Sequence, residues 1–191
     1  MESVYAERAL KFGEFRLRAA ADYLALEGDC ARRDDELSLS WQTPPDAYKA
    51  SVVATGQPLK VVGPVTWSEQ LSTNYYVICF STRWGEDLFD EFKGADACLV
   101  IRDTDAFCEL IHHAVDRLLP KWIGHDQKVT YGGSGKLGVS YAKQDRFLPQ
   151  AEYRFSWLPP SAKGTLQPVT FQVGNIESIA HVEPRSKRTD A

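Results

Sequence analysis

Apolar and polar positions change their period within the first thirty residues. Phe12, Phe15 and Leu17 are interspersed with the charged Glu14, Arg16 and Arg18, and this strand-like periodicity predicts a strand. Side chains two apart along a strand share a face, so Arg16 and Arg18 are expected to lie together. From Ala19 the apolar spacing becomes helical and predicts a short turn that ends at Gly28, followed by a charged loop.

Two continuous apolar runs predict buried strands. Tyr75 to Phe80 combines β-branched and aromatic residues, and Ala97 to Ile101 is a second continuous apolar run. Such runs are typical of interior strands covered on both faces. The next segment offers an N-cap at Asp103 or Thr104 and an apolar stripe up to Leu119. These features predict a helix packed on the sheet.

The remaining elements are short and are separated by glycine and proline. A short amphipathic helix is predicted between Trp84 and Gly94, because apolar residues recur there at helical spacing. Further strands are predicted at 38–41, 49–55, 60–65, 128–131, 151–157, 167–173 and 176–182. The pattern predicts one α+β domain over residues 1–184, with a split or curved, mixed or antiparallel β-sheet core and a few helices. A polar tail at 185–191 follows.

Composition limits the classes of protein and partner. The chain is 43% apolar and 25% charged, as in ordinary globular domains. Its 12% of aromatic residues indicates an aromatic-lined core or pocket. The net charge of -4 gives no overall attraction to nucleic acid, so such a partner would depend on a local basic patch. The candidate residues for that patch are Arg32, Arg33, Lys136, Lys143 and Arg146.

The sequence predicts a cytoplasmic protein without a membrane segment. No apolar run reaches the roughly 20 residues that a membrane span needs, and the first residues carry acids where a signal peptide is basic. No CxxC pair is present, so the cysteines are expected to be reduced and no structural metal site is predicted. The cysteines are Cys30, Cys79, Cys98 and Cys108.

Familiar catalytic motifs are incomplete. The loop GGSGK has Thr130 and Leu137 where a phosphate-binding loop needs Gly and Ser or Thr. Ser81 lacks the GxSxG context of a hydrolase nucleophile. The adjacent His112 and His113 point about 100° apart on a helix and are not expected to share a metal ion.

Several patches instead carry a resemblance to a known family. An arginine-bearing strand, an aromatic residue and an acidic loop occur in the segment FRLRAAADYLALEGDCARRDDE. A "cFS" strand and a tryptophan-containing short helix occur in YYVICFSTRWGEDLFDEFKGADACLVI. VTYGG and FLPQAEYRFSW follow, and the second contains an E-x-R strand. Spread over residues 11–157, these patches resemble a largely uncharacterised bacterial family, often found beside phage-defence genes, that is similar to a branch of the ADP-ribosyltransferase superfamily.

The resemblance implies an ADP-ribosyltransferase-like fold, NAD as substrate, and a triad of Arg16, Ser81 and Glu152. Two departures concern the acceptor. The serine strand continues as Ser81-Thr82-Arg83 rather than Ser-Thr-Ser, and Gln150 replaces the first acid of an E-x-E motif. Both departures argue against modification of protein arginine.

The implied roles are chemically reasonable. Cleaving the nicotinamide glycosidic bond develops positive charge on the ribose, which the carboxylate of Glu152 would stabilise. An arginine can clamp a pyrophosphate, a role that Arg16 or Arg18 would fill, and Ser81 would bind the ribose or the carboxamide. The aromatic residues that would stack on nicotinamide are Tyr23, Trp84 and Tyr131.

Two main functions therefore remain open. One is an NAD-consuming, ADP-ribosyltransferase-like toxin or phage-defence effector that modifies nucleic acid or protein. The other is a catalytically inactive binding module on the same scaffold, such as an inhibitor or immunity component with a cognate partner protein; a hydrolase of a nucleotide-like ligand is a third, weaker alternative. Glu152 can equally be half of a strand-surface ion pair with Arg154. Convergence of Arg16, Ser81 and Glu152 in one open cleft would favour the enzyme.

Overall fold

The computed structural model describes residues 1–26, 33–47, 49–161 and 164–186. Its α-helices are α1 (Ser3–Phe12), α2 (Asp87–Glu91) and α3 (Thr104–Leu118). Its strands are β1 (Glu14–Ala19), β2 (Ser38–Thr43), β3 (Ala50–Ser51), β4 (Pro58–Leu59), β5 (Val65–Gln70), β6 (Tyr76–Ser81), β7 (Ala97–Ile101), β8 (Ile123–Lys128), β9 (Thr130–Tyr131), β10 (Ala142–Lys143), β11 (Glu152–Leu158), β12 (Val169–Gln172) and β13 (Ala180–Pro184). Short 3-10 helices span Ala20–Asp22, Pro45–Ala47, Val139–Tyr141 and Asp145–Gln150. The chain is α+β, and its strand pairs are mostly antiparallel.

A five-stranded sheet organises the fold. Its strand order is β12-β1-β6-β11-β8, and every neighbouring pair is antiparallel. β6 lies in the middle, as its apolar run predicts. The predicted strands at 12–18 and 151–157 correspond to β1 and β11, the two neighbours of β6.

One face of this sheet packs on α3. The helix begins at its predicted N-cap, where the Asp103 side chain accepts a hydrogen bond from the Ala106 N–H at 3.0 Å. The buried core joins β1, β11 and the apolar stripe of α3, and includes Phe15, Leu17, Phe107, Ile111, Val115, Phe155 and Trp157. The predicted helix on the sheet is therefore confirmed.

The N-terminal helix was not predicted, and the strand expected from Phe12 begins two residues later. Phe12 is the last residue of α1, and Gly13 follows with a φ of 60°. An added Cβ on Gly13 would lie 2.3 Å from the Gly174 carbonyl oxygen. The turn therefore needs glycine for both its backbone angle and its close approach to Gly174. The turn at Gly13 thus ends α1 and begins β1, two elements that the apolar pattern alone does not separate.

β7 is not an interior strand of the main sheet, which corrects the prediction for 97–101. Among the described residues its strand partner is β13, and α1 packs against both strands. The two strands expected at 167–173 and 176–182 correspond to β12 and β13. They join different sheets, because β12 pairs with β1.

The segment between β2 and β5 is less regular than predicted. Only Ala50–Ser51 of the strand expected at 49–55 is extended, and β5 begins at Val65, where the strand expected at 60–65 was to end. Val53 and Val62 are exposed, so their apolar character does not mark a buried face. Closely spaced prolines and glycines interrupt pairing in this segment.

Two expectations concern thiols and membranes. Cys79, Cys98 and Cys108 are free thiols, whereas Cys30 lies outside the described residues. None of the described helices is long and apolar enough to cross a membrane.

Candidate functional site

The second face of the main sheet carries charged and polar side chains, among them the predicted triad. The strand register pairs Glu152 with Ser81 and Arg18 with Val77. Directly paired residues share a face, as do residues two apart. Arg16, Ser81 and Glu152 therefore face the same side of three adjacent strands, β1, β6 and β11.

Four charged residues on this face form a buried network, here called the charged cluster: Glu36, Lys143, Glu152 and Arg154. Arg154 Nε lies 2.6 Å from Glu152 Oε1, and Arg154 Nη1 lies 2.6 Å from Glu36 Oε2. Lys143 Nζ lies 2.7 Å from Glu152 Oε2 and 3.4 Å from Glu36 Oε1. Each side chain is at most 4% exposed. Two positive and two negative groups thus compensate one another away from water.

Polar groups from other segments hold the cluster in place. Arg154 Nη1 donates to the Ser140 carbonyl at 2.8 Å, and the Tyr75 hydroxyl donates to the Glu36 carbonyl at 3.1 Å. Arg154 Nη2 is buried and has no hydrogen-bond partner among the described residues. A buried unpaired donor costs stability, so the described residues do not satisfy every hydrogen-bond donor of the cluster.

The ionisation of the cluster follows from its pairing. Burial alone would raise the pKa of Glu152, but the charges of Arg154 and Lys143 outweigh it and lower the pKa to about 2. Burial opposes the charge of Lys143, yet Glu36 and Glu152 raise its pKa above the ordinary value. Burial raises the pKa of the neighbouring Cys79 thiol. Glu152 and Lys143 are therefore charged at pH 7, and Cys79 is a neutral thiol.

A polar cavity of about 390 Å³ opens beside the charged cluster. Its lining residues are Leu24, Arg33, Asp34, Asp35, Ser38, Ser40, Gln144 and Arg146. Asp34 connects the two, because its carboxylate lies 3.9 Å from Lys143 Nζ. Burial and the nearby charge of Glu36 raise the pKa of Asp34 to about 6, and Lys143 offsets this only in part. The cavity thus joins an arginine-bearing opening to a buried charged interior.

The members of the predicted triad differ in exposure. Arg16 and Ser81 are exposed, whereas Glu152 is only 4% exposed. The Ser81 hydroxyl donates to the Gln150 carbonyl at 2.8 Å and accepts from the Arg83 N–H at 3.2 Å. The three residues of the triad therefore lie on one face of the sheet, and Ser81 and Glu152 are paired across neighbouring strands. The Glu152 carboxylate, however, does not line an open cleft.

The other predicted binding residues are divided between the two faces. The Arg18 guanidinium lies 5.7 Å from the centre of the Tyr23 ring. The Tyr131 hydroxyl accepts a hydrogen bond from the Glu152 N–H at 2.8 Å, so this residue supports the cluster backbone. Trp84 lines a separate cleft and is 46% exposed.

The basic residues considered for nucleic acid do not behave as one patch. Lys143 is buried in the charged cluster, whereas Arg33 and Arg146 line the polar cavity. Lys136 is exposed in the glycine-rich loop, and Arg32 lies outside the described residues. Lys143 is therefore removed from the predicted surface patch.

Sequence reasoning named Arg154 as an ion-pair partner of Glu152 but missed the other two members of the charged cluster, Lys143 and Glu36. Glu36 lies in a stretch predicted as a charged loop, and Lys143 was considered only as a surface cation. One signal was present, since Glu152 and Arg154 are the only charged residues of a strand that is otherwise apolar or aromatic apart from Ser156. Charges on such a strand are seldom buried unless they are paired.

On the α3 side of the sheet lies a second opening, here called the aromatic cleft, with a volume of about 440 Å³. It is enclosed by the end of β6, β7, the first turns of α3, and residues of β8 and β11. Its aromatic lining residues are Phe80, Trp84, Phe107, Tyr153 and Phe155. Ser81 lies at its edge, so the two faces meet near the end of β6.

No protein-family model, curated protein or solved structure matches the chain. Among the described residues no group of His, Cys, Asp and Glu side chains is arranged to hold a metal ion.

Proposed function

We propose that the protein is ADP-ribosyltransferase-like, binding NAD and cleaving the bond between nicotinamide and ribose. The observation that carries this proposal is the placement of Arg16, Ser81 and Glu152 on the same face of three adjacent strands, with Glu152 directly opposite Ser81. These residues are far apart in the chain and lie together because β6 pairs with both β1 and β11. The family resemblance in the sequence implies a catalytic triad of the same three residues.

The chemistry requires a negative charge beside the ribose. Breaking the C1′–N bond leaves its electron pair on nicotinamide and positive charge on the ribosyl group, which an acceptor or water then captures with loss of a proton. The Glu152 carboxylate is ionised, because Arg154 and Lys143 lower its pKa to about 2. Both of its oxygens are ion-paired, so the 2.7 Å contact with Lys143 has to open for the carboxylate to face the ribose.

Binding requires positive charge for the pyrophosphate. Arg16 is exposed on the same face and has no ion pair among the described residues. Arg33 and Arg146 line the polar cavity, which reaches the charged cluster through Asp34. Arginine suits this task because its guanidinium donates two parallel hydrogen bonds to phosphate oxygens.

The burial of Glu152 favours a second candidate, a non-catalytic binding module on the same scaffold. A carboxylate that is 4% exposed and neutralised by two cations is well suited to stabilising the fold. In this alternative the cavity binds a ligand or a cognate partner protein, and the dinucleotide is not cleaved.

Two measurements on the same samples distinguish these functions. NAD binding is measured by calorimetry, and nicotinamide release is measured by chromatography with and without nucleic-acid and protein acceptors. We expect Arg16→Ala to weaken NAD binding, because a phosphate contact acts in the ground state and the transition state alike. Arg117→Ala, an exposed arginine on α3, is the matched control and should bind NAD as the wild type does.

Ser81→Ala tests the chemical step without disturbing the buried cluster. Since the Ser81 side chain is exposed, the variant is expected to fold and to release nicotinamide more slowly. NAD binding without release in the wild type would establish the binding module. Absence of both would refute the proposed function.

A further inference from the structure

We propose that the aromatic cleft binds a flat heteroaromatic ring of the nucleobase class. The cleft lies on the face of the sheet opposite the charged cluster. The cleft shares Ser81 and Trp84 with the residues considered for NAD, but the inference goes beyond the proposed function because nucleobase binding there does not require NAD to be cleaved.

The walls of the cleft suit a planar ring. Phe80 packs edge-on against Phe107 and Phe155, with ring centres 5.3 Å and 5.8 Å apart. Trp84 also lines the cleft and remains 46% exposed, although burying a large aromatic side chain is favourable. A ring stacked on the indole would complete its burial. The volume of about 440 Å³ lies within the range of about 300–1,000 Å³ typical of small-molecule sites.

Among the polar residues that line the cleft, Lys128 offers a charged donor and Asp105 a charged acceptor. Lys128 is the Cα partner of Tyr153, so its side chain lies on the cleft face of the sheet, and among the described residues it has no ion pair. Asp105, in the first turn of α3, also lines the cleft and has no described ion pair. Arg83 is already committed, since its two terminal nitrogens bind Asp87 at 3.0 Å and 2.7 Å.

This arrangement fits a nucleobase better than an acyl chain or a simple anion. A nucleobase carries acceptors and donors on its edges, which Lys128 and Asp105 can satisfy, and apolar faces for the aromatic walls. An acyl chain would leave both charged groups without partners, and a simple anion would be repelled by Asp105. In small-molecule sites, a small number of polar groups in a largely apolar pocket fixes the orientation of the ligand.

The floor of the cleft is held rigidly. The Tyr153 hydroxyl donates to Asp126 Oδ2, and His112 Nε2 lies 2.6 Å from Asp126 Oδ1. Because its hydroxyl is used in this way, Tyr153 presents its ring to the cleft. Burial raises the pKa of Cys108 to about 11, so its thiol is neutral at pH 7 and forms part of the apolar wall.

The test is a titration of the full chain with adenosine, guanosine, cytidine and uridine, followed by calorimetry and tryptophan fluorescence. We expect at least one nucleoside to bind saturably. Base stacking on an aromatic side chain predicts that Trp84→Ala weakens this binding roughly 5- to 150-fold. Lys128→Met should give a smaller loss, because it removes only the donor at the rim.

The matched control is Trp67→Ala. Trp67 is also a partly exposed tryptophan, but it stacks on Trp41 in the β2–β5 ribbon, outside the cleft. It should bind the nucleoside as the wild type does, and thermal unfolding should show that both tryptophan variants are folded.

Two results would overturn the inference. One is no saturable binding of any of the nucleosides up to about 10 mM, tenfold above the 1 mM dissociation constant of a weak complex. The other is binding that Trp84→Ala leaves unchanged. The nucleosides contain neither a pyrophosphate nor a nicotinamide bond, so failure of NAD cleavage would not affect either readout.

Discussion

Replacing Arg154 by methionine tests whether the charged cluster ties Glu36 and β10 to β11 of the main sheet. Arg154 is fully buried and contacts both Glu36 and Glu152 at 2.6 Å. Its loss leaves two buried carboxylates that share one cation, Lys143. Breaking a buried ion pair by removing one partner typically costs about 3–5 kcal/mol. In a domain of this size each kcal/mol lowers the melting temperature by about 2–4 °C, so we expect a decrease of about 6–20 °C.

The assay is thermal and urea unfolding at pH 7, followed by circular dichroism. Arg16→Met is the matched control, because Arg16 lies on the same sheet face but is exposed, and it should change stability by less than about 0.5 kcal/mol. Adding Glu152→Gln to Arg154→Met removes one of the unpaired charges. The double variant should therefore lose less free energy of unfolding than the two single variants lose together. A decrease of less than about 2 °C for Arg154→Met would refute the buried pairing.

Three further predictions follow from named groups. The lowered pKa of Glu152, about 2 against 4.5 when unperturbed, means that its ionised form stabilises the protein above about pH 4.5. This contribution is lost as the pH falls towards 2, and acid unfolding of Glu152→Gln should be correspondingly less steep. The pKa of Asp34 is raised to about 6, so its favourable protonated form is lost as the pH rises from about 3.8 through 6. Asp34→Asn should therefore stabilise the protein at pH 7 but not at pH 3.5, as measured by urea unfolding; equal effects at both pH values would contradict this. Gly13→Ala should lower stability by more than about 1 kcal/mol, because its Cβ would clash with the Gly174 carbonyl. Gly56→Ala has a similar positive φ but open space, so equal losses for the two variants would show that the clash does not matter.

The sequence predicted the parts of the fold that local pattern determines. The apolar run of β6 identified the central strand, and the Asp103 cap and apolar stripe identified α3, because capping and periodicity depend on neighbours in the chain. Helix α1 was missed, and Phe12 was grouped with the apolar residues of β1 although it is the last residue of α1 and the left-handed Gly13 separates the two elements.

The site was predictable only in part, for a reason of distance along the chain. The residue types of the triad follow from short sequence motifs. The shared face of Arg16 and Arg18 follows from the period of two along a strand. The pairing of Glu152 with Lys143 and the position of Glu36 above β11 depend on tertiary contacts between segments that carry no common pattern. A buried Glu152 therefore could not be distinguished in the sequence from one at the surface.

Nicotinamide release from NAD tests the proposed function most directly. The wild type and Glu152→Gln are compared at a temperature at which circular dichroism shows both to be folded, with heat-unfolded protein as the blank. The account predicts release by the wild type and a loss of turnover of about 100- to 1,000-fold in Glu152→Gln, the cost of removing one preorganised electrostatic group. Release by Glu152→Gln at the wild-type rate, or wild-type release no greater than the blank, would contradict it.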